Sequence, residues 1–322
     1  MSESTALADL ARYASTPLPR RPLLVPWVKP VEVGDGLLEL RAVETFYPLR
    51  HPLLAAAFRA VAGRLTGEHD LESVGADLPA GVEPAAVTFL LKTLGALGLL
   101  LEGEDLDGTG GAERDRLLFL SAFTPRPLAI ARRLATATVQ VVGPERLAER
   151  VRRQLGAAGC ERVARLEVSE LEESEAADLL VACADIPARG WFSRLNAFAL
   201  RSRRPWLRAA AHGTRSWLGP LVLPGETACF ACLETREQAN VRAGGAWPEL
   251  APGAIGAFAP QEDLLAAQAA AEATRFLGRF APPATVGHFY ELSATSPGSR
   301  RHALLRVPEC HACGALWSAG AP

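Results

Sequence analysis

Two CxxC pairs constrain this chain more than any other feature. They are Cys229-Phe230-Ala231-Cys232 and Cys310-His311-Ala312-Cys313, with 77 residues between them. One CxxC turn offers two sulfurs to a single ion, and two such turns complete the tetrahedral shell that zinc prefers. A shell filled by protein leaves no position for water, so the expected ion is one structural zinc per chain. It would tie residues near 310 back to residues near 230. A redox pair and unrelated core thiols are the competing readings; Gly314 after the second pair favours the metal. His311 is read as a bystander. Cys160 and Cys183 lack paired spacing and are read as core filler. Six cysteines in 322 residues do not make a disulfide scaffold, and a cytoplasmic chain would keep them reduced.

The remaining composition excludes several classes. With 49% hydrophobic and 22% charged residues the chain is globular, and its length allows two or three domains. A net charge of −2 gives no field to hold a nucleic acid. No apolar run reaches the ~18–20 residues that cross a bilayer, and Met1-Ser2-Glu3-Ser4 does not begin an export signal. Neither a membrane nor a nucleic acid is therefore expected as a partner, and the cytoplasm is the expected location. No serine-histidine-acid order or paired carboxylates suggest a hydrolase.

Organisation follows from periodicity. Residues 1–22 are polar and proline-punctuated, a flexible arm. Over 23–103, Val31–Val33, Leu37–Leu40 and Val43–Tyr47 predict short strands. Leu54, Phe58, Val61 and Leu65 behind Pro52 predict a helix; Asp70 caps a second with Leu71, Val74 and Leu78. A third starts near Pro84, carries Val87, Leu91, Leu94 and Leu97, and stops at Gly98. This order is that of a winged-helix unit. Residues 104–116 are polar and glycine-rich, a linker. In 117–322 strands alternate with helices: strands at Thr138–Val142, Val163–Val168, Leu179–Cys183 and Trp206–Ala211, helices at Glu145–Leu155 and Ala188–Arg201. That alternation predicts an α/β domain with a mostly parallel sheet. Gln261–Phe280 is an alanine-rich helix, and Tyr290–Leu292 with His302–Arg306 an antiparallel pair.

After the strand Thr138–Val142 a nucleotide-binding fold places a glycine-rich turn. Here the turn is Gly143-Pro144-Glu145-Arg146-Leu147-Ala148. Only the first glycine remains, Pro144 removes a donor, and Glu145 brings a carboxylate toward the phosphate position. Glu167, at the end of the next strand, is a weak ribose-site signal. Lysine occurs only at Lys29 and Lys92. Arg146, Arg150, Arg201, Arg203, Arg204 and Arg208 remain as possible phosphate cations, though most suit solvated helix faces. His212 is read as a core or loop histidine. No nucleotide is expected at this turn.

The run Gly219-Pro220-Leu221-Val222-Leu223-Pro224-Gly225-Glu226-Thr227-Ala228-Cys229-Phe230-Ala231-Cys232-Leu233, with Pro308-Glu309-Cys310-His311-Ala312-Cys313-Gly314, resembles the ThiF-like, ubiquitin-activating-type fold. More narrowly it resembles the branch serving thiazole- and oxazole-containing ribosomal peptides, over about residues 115–320. The resemblance implies a Rossmann-type sheet and an N-terminal winged helix that recognises a peptide. Active members adenylate a carboxylate. The degraded loop, the missing Asp-x-Asp and the missing lysine resemble instead the non-adenylating members, which bind a precursor's leader peptide and deliver it to a YcaO-type cyclodehydratase. Homodimerisation is also implied. An ATP-dependent adenylating enzyme with an unusual loop is the alternative.

In such a unit the leader adds as a strand to a sheet edge beside the third helix. The candidate contacts are Val43, Thr45, Phe46 and Tyr47 on the strand, with Leu90, Leu91, Lys92 and Leu94 on the helix. DNA is the competing occupant of a winged helix. Residues 1–100 carry 9 Lys/Arg against 11 Asp/Glu, which neutralises phosphate poorly.

Overall fold

The computed structural model describes residues 15–34, 36–42, 45–184, 189–240 and 258–318. The chain divides into two compact units, Met1–Ile130 and Ala131–Pro322.

The first unit opens with β1 (Pro22–Leu24), β2 (Lys29–Glu32), β3 (Leu38–Arg41) and β4 (Phe46–Leu49). Helices α1 (Pro52–Val61), α2 (Leu71–Val74) and α3 (Pro84–Ala96) follow, then β5 (Leu100–Glu102). β2, β3 and β4 form an antiparallel meander, while β1 pairs with β5. The helix starts obey local chemistry. The His51 ring accepts the Leu53 N–H at 3.2 Å ahead of Pro52, and Asp70 accepts the Ser73 N–H at 2.7 Å. Gly98, just past the end of α3, has a φ of +73° that suits a residue without Cβ, and the Leu99 N–H closes onto Leu94 O at 2.9 Å. Val25, Leu40, Phe58, Leu90, Leu94 and Leu99 pack the core.

The expected linker 104–116 is instead folded. A 3-10 turn spans Gly103–Leu106 and α4 covers Gly111–Ser121, followed by α5 (Pro127–Thr136). Glu113, Arg114 and Asp115 in the first turns of α4 are exposed, Arg116 is half-buried, and Leu117 and Leu120 are buried. A polar helix face read along the sequence looks like a linker. The division between units falls later, after Ile130.

The second unit is built on β6 (Thr138–Val142), α6 (Glu145–Ala157), β7 (Arg162–Leu166), β8 (Leu179–Ala184), α7 (Arg189–Ser202) and β9 (Trp206–His212). There follow β10 (Arg215–Val222), α8 (Phe230–Ala239), α9 (Ala259–Gly278), β11 (His288–Ser293), β12 (Ser296–Ala303) and α10 (Gly314–Ser318). One seven-stranded sheet runs β12-β11-β10-β9-β8-β6-β7. Its β7, β6, β8 and β9 are parallel, as the α/β alternation requires, and β10 to β12 continue it antiparallel. α9 packs on α6 and the sheet through Ala266, Ala269, Ala270 and Ala273, whose small side chains allow close approach. Among the described residues no helix is long and apolar enough to cross a membrane.

Candidate functional site

The four cysteines meet. Cys229 caps the start of α8, and one turn later Cys232 faces the same way because its N–H closes onto Cys229 O at 3.1 Å. The second pair is folded likewise, with the Gly314 N–H on Cys310 O at 2.7 Å. The Sγ atoms of Cys229 and Cys232 lie 4.0 Å apart, those of Cys229 and Cys310 3.8 Å, and those of Cys232 and Cys313 3.7 Å. All four lie within 4.8 Å of one another and all four residues are buried. Sulfurs bound tetrahedrally at about 2.3 Å from zinc would stand about 3.8 Å apart. The donor set and spacing therefore fit a metal ion such as zinc.

Electrostatics points the same way. A hydrogen bond from the Cys229 thiol draws the Cys232 pKa down to about 4, against the cost of burial and helped by the Val307 N–H at 3.4 Å. The same bond, then burial, pushes Cys229 up, and burial chiefly pushes Cys313 up to about 11. Thiolates this close repel one another, so the cluster cannot ionise fully without a cation among its sulfurs. His311 is exposed beside the cluster and belongs to no metal-ligand group among the described residues.

The turn after β6 sits at the topological switch point, since β7 and β8 flank β6 on opposite sides. Gly143 has a φ of +134°, and a Cβ there would run into the carbonyl of Cys183 on β8. Its glycine is thus demanded by the neighbouring strand. Pro144 caps α6 without a side-chain hydrogen bond; the Glu145 side chain lies outside the described part of the structure. The arginines that follow face acids near the start of α9. Arg146 lies 2.8 Å from Glu262, which is 2% exposed, and Arg150 pairs with Glu262 at 3.4 Å and with Asp263. These acids are not legible in the sequence, because Arg150 and Asp263 stand 113 positions apart.

The other candidates scatter. Arg201 pairs with Glu172 at the surface and Arg203 is exposed. Arg204 binds Ser174 and lies over the Phe198 ring, and Glu167 pairs with Arg165. His212 stacks on Trp217 with centroids 6.5 Å apart. Arg208 is buried.

At the expected peptide edge, β4 pairs only with β3, so its other side is open among the described residues. Phe46 is 64% exposed, Thr45 is exposed and Tyr47 half-buried; Val43 lies outside the described residues. Leu90, Leu91 and Leu94 are core side chains, which corrects their reading as direct contacts. The apolar stripe that suggested a groove fills the unit's own interior. Lys92 is half-buried on the same helix, and the exposed apolar side chains of α3 and its end are Phe89 and Leu97. α1, with exposed Leu53, runs beside β4.

Parallel strands β7, β6, β8 and β9 alternating with helices, with a helix-initiating turn at the switch point, define a Rossmann-type domain. The chain belongs to the ThiF family, whose model matches residues 131–312. Among solved structures, Escherichia coli MccB with MccA-N7isoAsn is similar at 16% identity and a TM-score of 0.66, over 91% of this chain and 99% of that one. E. coli MccB with ATP is similar at 17% identity and a TM-score of 0.65, with the same coverage. A heterocyclase in complex with substrate and cofactor is similar at 21% identity and a TM-score of 0.69, over 93% of this chain and 40% of that one. These likenesses establish the fold. No curated protein sequence matches the chain.

Proposed function

We propose that the chain is a non-catalytic scaffold. It binds the leader of a ribosomally made precursor peptide and presents the precursor to a separate ATP-dependent YcaO-type cyclodehydratase, which forms the azoline rings. One observation carries this reading. The cations best placed to meet a nucleotide's phosphates, Arg146 and Arg150, are already neutralised by Glu262 and Asp263, and Pro144 removes a donor from the same helix start. The likeness to a heterocyclase described with substrate and cofactor supports it.

In this reading the first unit is a winged helix, the leader adds along β4, and Thr45, Phe46, Tyr47 and Lys92 meet it. One structural zinc held by Cys229, Cys232, Cys310 and Cys313 keeps the second unit folded, and that unit docks the cyclodehydratase and self-associates. A fluorescently labelled leader, taken from a precursor encoded beside this chain, tests the reading by polarisation. Binding at micromolar or tighter affinity, about −8 kcal/mol, is expected. Ring formation by the partner enzyme should require this chain. Absence of binding overturns the proposal.

A second reading, an ATP-dependent adenylating enzyme, is favoured by one observation: the chain covers 99% of MccB, which has been solved with ATP. It predicts peptide-dependent ATP–pyrophosphate exchange, where the scaffold predicts none.

A further inference from the structure

We propose that Arg208 heads an oxyanion-binding site on the sheet face that carries the thiol cluster, taking a carboxylate or phosphate group. Alternate residues of a strand share a face, so Trp206, Arg208, Ala210 and His212 of β9 point one way. Trp206 and Ala210 pack in one cluster with Phe192 of α7, Phe230 of α8 and the four cysteines.

Among the described residues, three of these side chains carry buried nitrogens with no hydrogen-bond partner: Trp206 Nε1, Arg208 Nε and His212 Nε2. Arg208 is 7% exposed and Trp206 fully buried. The guanidinium lies over three rings, with centroids at 5.6 Å for Phe192, 5.9 Å for Trp217 and 5.6 Å for Phe230. Ring faces attract a cation but do not satisfy the directed N–H fork of an arginine. The acids whose fields reach it are engaged elsewhere, Glu237 with Arg189 at 2.6 Å and Glu234 with the Ser193 hydroxyl at 2.8 Å. Burial lowers the Arg208 pKa to about 10, so the side chain stays charged at neutral pH.

A buried cation whose Nε–H lacks a partner among the described residues is costly unless an anion completes it. The location suits one. Arg208 pairs in register with Ala182, two residues before β8 ends at Ala184, and open α/β sheets take ligands outside the carboxyl ends of their strands. Carboxylate and phosphate are the oxyanions an arginine fork grips in bidentate fashion. The site is independent of the leader-binding proposal and of the turn at Gly143.

The test is thermal unfolding of the metal-loaded full chain at constant ionic strength, titrated in one arm with sodium phosphate and in the other with sodium acetate. A saturable rise in Tm is expected in at least one arm, and the arm that responds identifies the source of the oxyanion. Arg208→Met should abolish the rise, and Arg208→Lys, which keeps charge but loses the fork, should weaken the apparent affinity by about tenfold. No saturable rise with wild type in either arm, or an undiminished rise in Arg208→Met, overturns the proposal. Should Arg208→Met fail to fold, an unchanged affinity in Arg208→Lys overturns it and a weakened one sustains it.

Discussion

Cys229 and Cys310 stand 81 positions apart, yet their sulfurs approach to 3.8 Å. That meeting was legible in sequence because each CxxC turn fixes two ligands locally and leaves only the joining of two turns to the fold. Cys310→Ser should remove the metal and cost several kcal/mol, read as zinc content and Tm on one preparation; a variant that keeps both would refute the clasp. Gly143→Ala, at φ +134° against the Cys183 carbonyl, should destabilise by more than about 2 kcal/mol in urea unfolding. Leu90 is fully buried, and an apolar side chain on α3 reads the same in sequence whether it faces a ligand or the core. Leu90→Ala should cost about 2–5 kcal/mol by leaving a cavity. Phe46→Ala, at an exposed edge, should change stability by less than about 0.5 kcal/mol while weakening leader binding at least about tenfold.

Among elements, the β6–α6–β7 and β8–α7–β9 units were readable because helix and strand periods differ and alternate cleanly. β10 was not, since Gly219-Pro220 interrupts it and strand interiors seldom hold proline. β12 begins at Ser296, earlier than the expected His302, because its exposed residues carry no apolar alternation. The ionic contact between α6 and α9 is the element-scale basis of the functional reading. Each helix start carries partial positive charge, which Glu262 and Asp263 complement alongside the arginines. Glu262→Gln should leave Arg150 less compensated and lower stability by about 1–3 kcal/mol, the smaller end reflecting Arg146's 49% side-chain exposure. An unchanged unfolding midpoint would contradict that role.

For the whole molecule, the family and the α/β architecture could be read from the knuckles and the alternation of strands with helices. The division after Ile130 could not, because the polar face of α4 mimics a linker. Under the proposed function, the first unit recognises the leader and the second, held by its metal, takes no nucleotide. Stripping the metal with a chelator should therefore unfold the second unit while circular dichroism retains the helices of the first. Calorimetric titration of the zinc-loaded chain with magnesium-ATP asks whether the second unit takes a nucleotide. No heat of binding is expected even at millimolar nucleotide; one ATP bound per chain at micromolar affinity would contradict it.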